Sequence, residues 1–272
     1  MTLAAAAPAL PDSFADFGPA QLATAIIAVY LVVGEPFVGY VLHRRFEGRL
    51  RTDPAARRSF YQRLLVLEWG LAAVTLVVWL AAPDVGAAQV GLHLPGSRPG
   101  PVATLVVVAL VVLAVLSVRA LRSGALAGPP PEVLRRTRPG DARHAEQPGH
   151  AALALLPRSQ GERRLFALVG VTAGVCEEWL YRGFLLAVVA ALAPGLPAFG
   201  LVVVAGVAFG LAHAYQGLTG VLTTGVLGSL LAGVYLSTGS LLLPVLLHAA
   251  IDLRFLLVPS SALPSASVVP VR

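Results

Sequence analysis

The chain contains no lysine, one cysteine and one methionine, and only 12% of its 272 residues are charged. A soluble domain carries about twice that charged fraction, so an ordinary water-soluble globule is excluded. The lone Cys176 excludes an internal disulfide and a cysteine-rich metal site. It adjoins Glu177, and it reads either as a reactive thiol or, more commonly for such a residue, as a small buried hydrophobe. Residues 1–21 carry Asp12 and Asp16 but no basic side chain, so they read as a disordered lead-in rather than a cleavable signal peptide. No internal repeat is evident, which counts against a transporter built from duplicated halves.

What is abundant is apolar: 57% of the residues are hydrophobic. Several runs reach the roughly 20 residues needed to cross the hydrocarbon core of a bilayer. The expected fold is an all-α polytopic membrane protein, a bundle of about seven transmembrane helices. The count becomes eight if a further helix hides in the fourth segment or in the long loop. The spans run from Leu22 to Leu42, Leu64 to Ala82, Val102 to Leu121, Leu165 to Leu192, Ala198 to Ala214, Leu218 to Leu236 and Leu241 to Val258. The fourth is long enough to tilt or break.

The formal charge is +6, carried by arginines in the loops between apolar spans, so the basic balance serves topology and anionic lipids rather than nucleic acid. Between His43 and Arg63 lie seven arginines, and eight more lie between Arg122 and Arg164, whereas the opposite loops hold only Arg98. The positive-inside rule then predicts an external N-terminus and a cytoplasmic C-terminus. Residues 122–162, rich in Pro, Gly and Arg, read as a flexible cytoplasmic connector with a weakly signalled interfacial helix over Ala151 to Leu156. That loop separates a three-span region (22–121) from a four-span region (163–258), with a tail at 259–272.

Against this apolar background Glu177, Glu178 and Arg182 stand out. Unpaired, three charges at a helix centre oppose insertion by roughly 8–10 kcal/mol on insertion scales. Glu178 and Arg182, four apart, share a helical face in the order that favours an ion pair. That pairing could be no more than mutual neutralisation. Glu177 is turned away from it and is left free to act. Of six histidines only His213 and His248 fall in apolar spans, with Phe209 and Asp252 four residues from them. A carboxylate bonded to a buried imidazole orients the ring, and His248/Asp252 is placed for that on one helix face. The GxxxG of Gly206 and Gly210, with Gly225, Gly228 and Gly233 on the sixth span, predicts close helix approach around a polar pocket. Glu35, beside the helix-kinking Pro36, and Glu68 are further intramembrane acids, each able to line a cavity or to pair with an arginine.

Read in order, these residues spell EExxxR (Glu177, Glu178, Arg182), FxxxH (Phe209, His213) and HxxxD (His248, Asp252), each on its own span. The pattern resembles the CPBP family of intramembrane proteases, which includes type II CAAX prenyl endopeptidases and bacteriocin-processing, Abi-like or immunity proteins. The similarity covers about Arg163 to Val258. It implies that Glu177 and His213 hold and activate the attacking water and that His248 with Asp252 stabilises the oxyanion. Glu178, Arg182 and Phe209 would support the site. No cofactor is expected, since two histidines and one free glutamate make a thin ligand set, although Glu177, His213 and His248 remain a conceivable zinc site. Many relatives carry Asn at the position of Asp252. An ionised Asp cannot donate to an oxyanion, so Asp252 is either protonated or serves to orient His248.

The leading expectation is an intramembrane endopeptidase acting on membrane-associated peptides or proteins, in a bacterial plasma membrane. A non-catalytic scaffold or bacteriocin-immunity protein of the same family is the alternative. A proton-coupled transporter using the Glu and His residues as a relay comes third.

Overall fold

Helices make up all the regular structure in the computed structural model, which describes residues 10–50, 53–95, 99–123 and 155–260. The chain passes through α1 (Gln21–Val29) and, across a π turn at Tyr30–Gly34, into α2 (Glu35–Leu50). Pro36 has no N–H to close an α turn, and the Glu35 amide reaches back five residues to the Tyr30 carbonyl. Next come α3 (Pro54–Leu80), begun by Asp53 capping the Ala55 amide, and α4 (Pro101–Arg122). After the long loop, α5 (Gln160–Glu178) gives way to a π turn (Trp179–Leu185) and α6 (Leu186–Leu192). The bundle closes with α7 (Ala198–Ala212), α8 (Gly217–Thr238) and α9 (Leu242–Leu253).

Four stretches are long and apolar enough to cross a membrane: Phe14–Phe46, Pro54–Leu80, Pro101–Arg122 and Ala214–Thr238. The other three expected spans differ for physical reasons. The fourth is interrupted at the charged trio by the π turn. Helix α7 has 15 residues and α9 has 12, so at 1.5 Å per residue each covers about 18–22 Å and ends within the bilayer. Helix ends at that depth are tolerated where they line a cavity.

The core lies around the π turn and α6, where Phe184 to Val188 are fully buried against α1, α3 and α7. Many large apolar side chains, among them Leu105, Leu113, Val207 and Phe199, point outward, as lipid-facing residues do. Phe14–Ala20, inside the stretch expected to be a disordered lead-in, instead forms a short 3-10 helix. Ser13 and Asp16 cap it reciprocally, and Phe17 anchors it in the core. The connector from 124 to 154, Arg98 and the tail from 261 lie outside the described residues, and with them most of the expected interfacial helix.

Candidate active site

Glu177 and Glu178 close α5, and the π turn that follows contains Arg182. An extra residue in the turn rotates everything after it, and such bulges concentrate at functional sites. The expected ion pair is present: Arg182 donates to Glu178 Oε1 at 2.8 Å, with both side chains fully buried. Arg182 also donates to the Gly228 carbonyl of α8 at 3.0 Å and lies 4.4 Å from the centre of the Phe209 ring.

Glu178 has a second partner. His248 Nδ1 lies 2.7 Å from the same Oε1. A carboxylate paired with an arginine accepts only, so the proton of this bond sits on His248 Nδ1. Asp252, placed by its spacing to orient His248, is 3.8 Å from Nε2 and makes no hydrogen bond to it. The helix register puts Asp252 on the right face, but Glu178, arriving from the packed α5, reaches the ring first.

His248 Nε2 faces two carboxylates, Asp252 Oδ2 at 3.8 Å and Glu177 Oε2 at 3.9 Å. These separations are too long for hydrogen bonds but suited to a bridging or reacting group. Glu177 Oε2 is buried without a hydrogen-bond partner among the described residues. His213 caps the end of α7, and its Nδ1 lies 2.9 Å from the Phe209 carbonyl. That carbonyl only accepts, so the His213 Nε2 lone pair is left open. Phe209 packs between these groups, with ring centres 4.7 Å from His213, 5.7 Å from His248 and 5.4 Å from Tyr181.

Glu177, His213 and Asp252 line one cavity of about 280 Å³. Glu35, Glu68 and Tyr215 line it too, although the two acids stood outside the candidate set and Tyr215 carried no sequence signal beyond its place near His213. Glu68 Oε2, like Glu177 Oε2, is buried without a hydrogen-bond partner among the described residues. From this acidic end the cavity runs to Leu42, Phe60, Tyr61 and Phe166, near the arginine-bearing ends of α2, α3 and α5. His43, which lies at the edge of the first expected span, is buried, with its ring 5.1 Å from that of Tyr215.

Close helix contact makes this geometry achievable. A Cβ on Gly228 would come within 2.9 Å of Phe209 Cβ, and one on Gly210 within 2.6 Å of the Val221 carbonyl. Gly233 has nothing within 4 Å and takes no part. A second GxxxG, Gly170 and Gly174, lets α5 meet α9: a Cβ on Gly174 would lie 2.9 Å from the Ala249 amide, one residue from His248. Its spacing was visible in the sequence, and it is the seam that brings the glutamates to the histidine.

Among the described residues no group of three or more His, Cys, Asp or Glu side chains is disposed to hold a metal ion. The set Glu177, His213 and His248 does not fit one in this arrangement, and no step is derived through a metal.

Residues 160–254, about a third of the chain, match the family described as Type II CAAX prenyl endopeptidase Rce1-like. The four-span region therefore carries an Rce1-like domain of the CPBP group, whose members are CAAX-type intramembrane proteases. No curated protein and no solved structure matches the chain.

Proposed function

We propose that the chain is an intramembrane endopeptidase that hydrolyses peptide bonds of membrane-associated peptides or proteins. The observation that carries this reading is the unpartnered Glu177 oxygen facing a cavity shared with His213 and Asp252, 3.9 Å from His248 Nε2. A water held between Glu177 and the open nitrogen of His213 loses its proton to Glu177 as its oxygen attacks the scissile carbonyl. The developing oxyanion lies toward His248 Nε2 and Asp252, each donating a proton-bearing edge. Glu177 then returns the proton to the leaving amine. Glu178 and Arg182 set the ring of His248 and carry no bond-making role.

With the arginine-rich ends in the cytoplasm and the N-terminus outside, the cavity opens to the cytoplasmic side, where a membrane-anchored segment would enter past Phe60, Tyr61 and Phe166. The mechanism uses no metal ion. The test is cleavage of a membrane-anchored peptide by the purified chain in liposomes. Wild type cleaves in the presence of a metal chelator, and His213→Ala and His248→Ala lose the activity without losing their fold. Absence of cleavage by wild type across a peptide library would favour a scaffold. Loss on chelation with recovery on adding zinc would overturn the metal-free mechanism.

A further inference from the structure

Three arginines at the ends of α4 and α9 have no part in the chemistry above. Arg119 and Arg122 close α4, and Arg254 follows α9. Arg254 is fixed in place: it donates to Ser117 Oγ at 3.0 Å and to the Ile251 carbonyl, and it lies 4.1 Å from the centre of the Phe255 ring. Arg122 donates one N–H to the Leu257 carbonyl at 2.9 Å, one of the five a guanidinium offers. None of the three forms an ion pair among the described residues.

Between α4 and α9, an apolar groove of about 650 Å³ has its walls in Leu110, Val115, Val118, Leu247 and Ile251 and reaches all three arginines. From Leu110 to Arg122 it runs about 18 Å along the helix, slightly more than one leaflet of a hydrocarbon core about 30 Å thick. At its charged end lies a polar recess of about 480 Å³, which shares Arg122 and Leu257 and adds Arg158, Ser159 and Arg163.

We propose that the groove and recess together bind one anionic phospholipid, with an acyl chain along α4 and α9 and its phosphate among Arg119, Arg122 and Arg254. The combination selects this occupant. The groove demands a chain of leaflet length, and the guanidiniums at headgroup level demand an anion, which they bind through charge-assisted bonds. A zwitterionic lipid brings its own cation into a ring of cations, and a nucleic acid or acidic peptide leaves the groove unfilled. The proposal is independent of proteolysis, because none of its residues touches the reacting atoms.

The test is native mass spectrometry of the full chain in mild detergent, titrated with phosphatidylglycerol, phosphatidylcholine or inorganic phosphate. One phosphatidylglycerol is retained per chain, at least tenfold tighter than phosphatidylcholine, and excess inorganic phosphate does not displace it. Arg119→Gln weakens it about fivefold, as expected for one arginine near a headgroup. Ala114→Phe, which fills the groove without removing charge, abolishes retention while the thermal midpoint of the lipid-free chain stays within a few degrees. Equal retention of the two lipids, or phosphatidylglycerol binding unchanged in both variants, overturns the proposal. Displacement by inorganic phosphate reassigns the recess to a free anion and overturns the lipid as occupant.

Discussion

At the residue scale, His248 is the pivot. Glu178 holds its Nδ1 at 2.7 Å, while Nε2 is left between Glu177 and Asp252. If Asp252 acts by donating to an oxyanion, an amide does the same work without needing a proton. Asp252→Asn is therefore expected to keep cleavage within about tenfold of wild type, whereas Asp252→Ala, with no donor, loses the 10²–10³-fold typical of a missing oxyanion donor. Equal losses for Asn and Ala would return Asp252 to an ionised role. Glu178 carries a different burden, since it balances a fully buried Arg182. Glu178→Gln leaves that guanidinium unpaired and is expected to cost about 3–5 kcal/mol of stability, read as a lowered thermal midpoint before any effect on rate. The five charged and imidazole groups were legible in the sequence because apolar surroundings make each one expensive. That Glu178 and not Asp252 holds the histidine was not legible, because it depends on how closely α5 packs on α9.

At the element scale, two seams decide whether the groups meet. The α5–α9 seam rests on Gly174, whose added Cβ would strike the backbone at Ala249. Gly174→Val is expected to cost about 1–3 kcal/mol by overpacking and to lower the cleavage rate more than Gly233→Val, which adds its side chain into open space. Comparable rates for the two variants would separate the seam from the chemistry. The start of α5 is set by local chemistry, a capping box in which Ser159 and Glu162 exchange hydrogen bonds. Glu162, just before the apolar span, also takes Arg57 at 3.0 Å and the Arg158 amide at 2.8 Å, with no exposed surface. Burial alone would raise its pKa, but these hydrogen bonds and the Arg57 charge outweigh burial and hold it below the ordinary 4.5. A carboxyl with a lowered folded pKa stabilises above the ordinary value, and that stabilisation is lost as pH falls through the folded one. The thermal midpoint should therefore drop below about pH 4.5, and Glu162→Gln should remove that part of the acid dependence.

At the scale of the whole molecule, the all-α bundle was legible from composition and run length alone. The four longest apolar stretches lie where the hydrophobic runs place them. The short α7 and α9 were overestimated because hydropathy continues through the 3-10 turns Ala214–Gln216 and Arg254–Leu257, where the helix itself has stopped. Those early stops bring His213 and Asp252 to a cavity instead of carrying them past it. Glu35 and Glu68 show the complementary blind spot: an acid in an apolar run is conspicuous, but the cavity it faces is built by α2, α3, α5 and the α7–α8 turn together. The most direct measurement compares new peptide termini in membranes from cells expressing wild type or Glu177→Gln at matched levels. Removal of a general base costs about 10²–10⁴-fold in rate, so termini present with wild type should vanish with the variant while its abundance and thermal midpoint are unchanged. Identical sets of termini, with Glu177→Gln still restoring a deletion strain, would contradict proteolysis at this site.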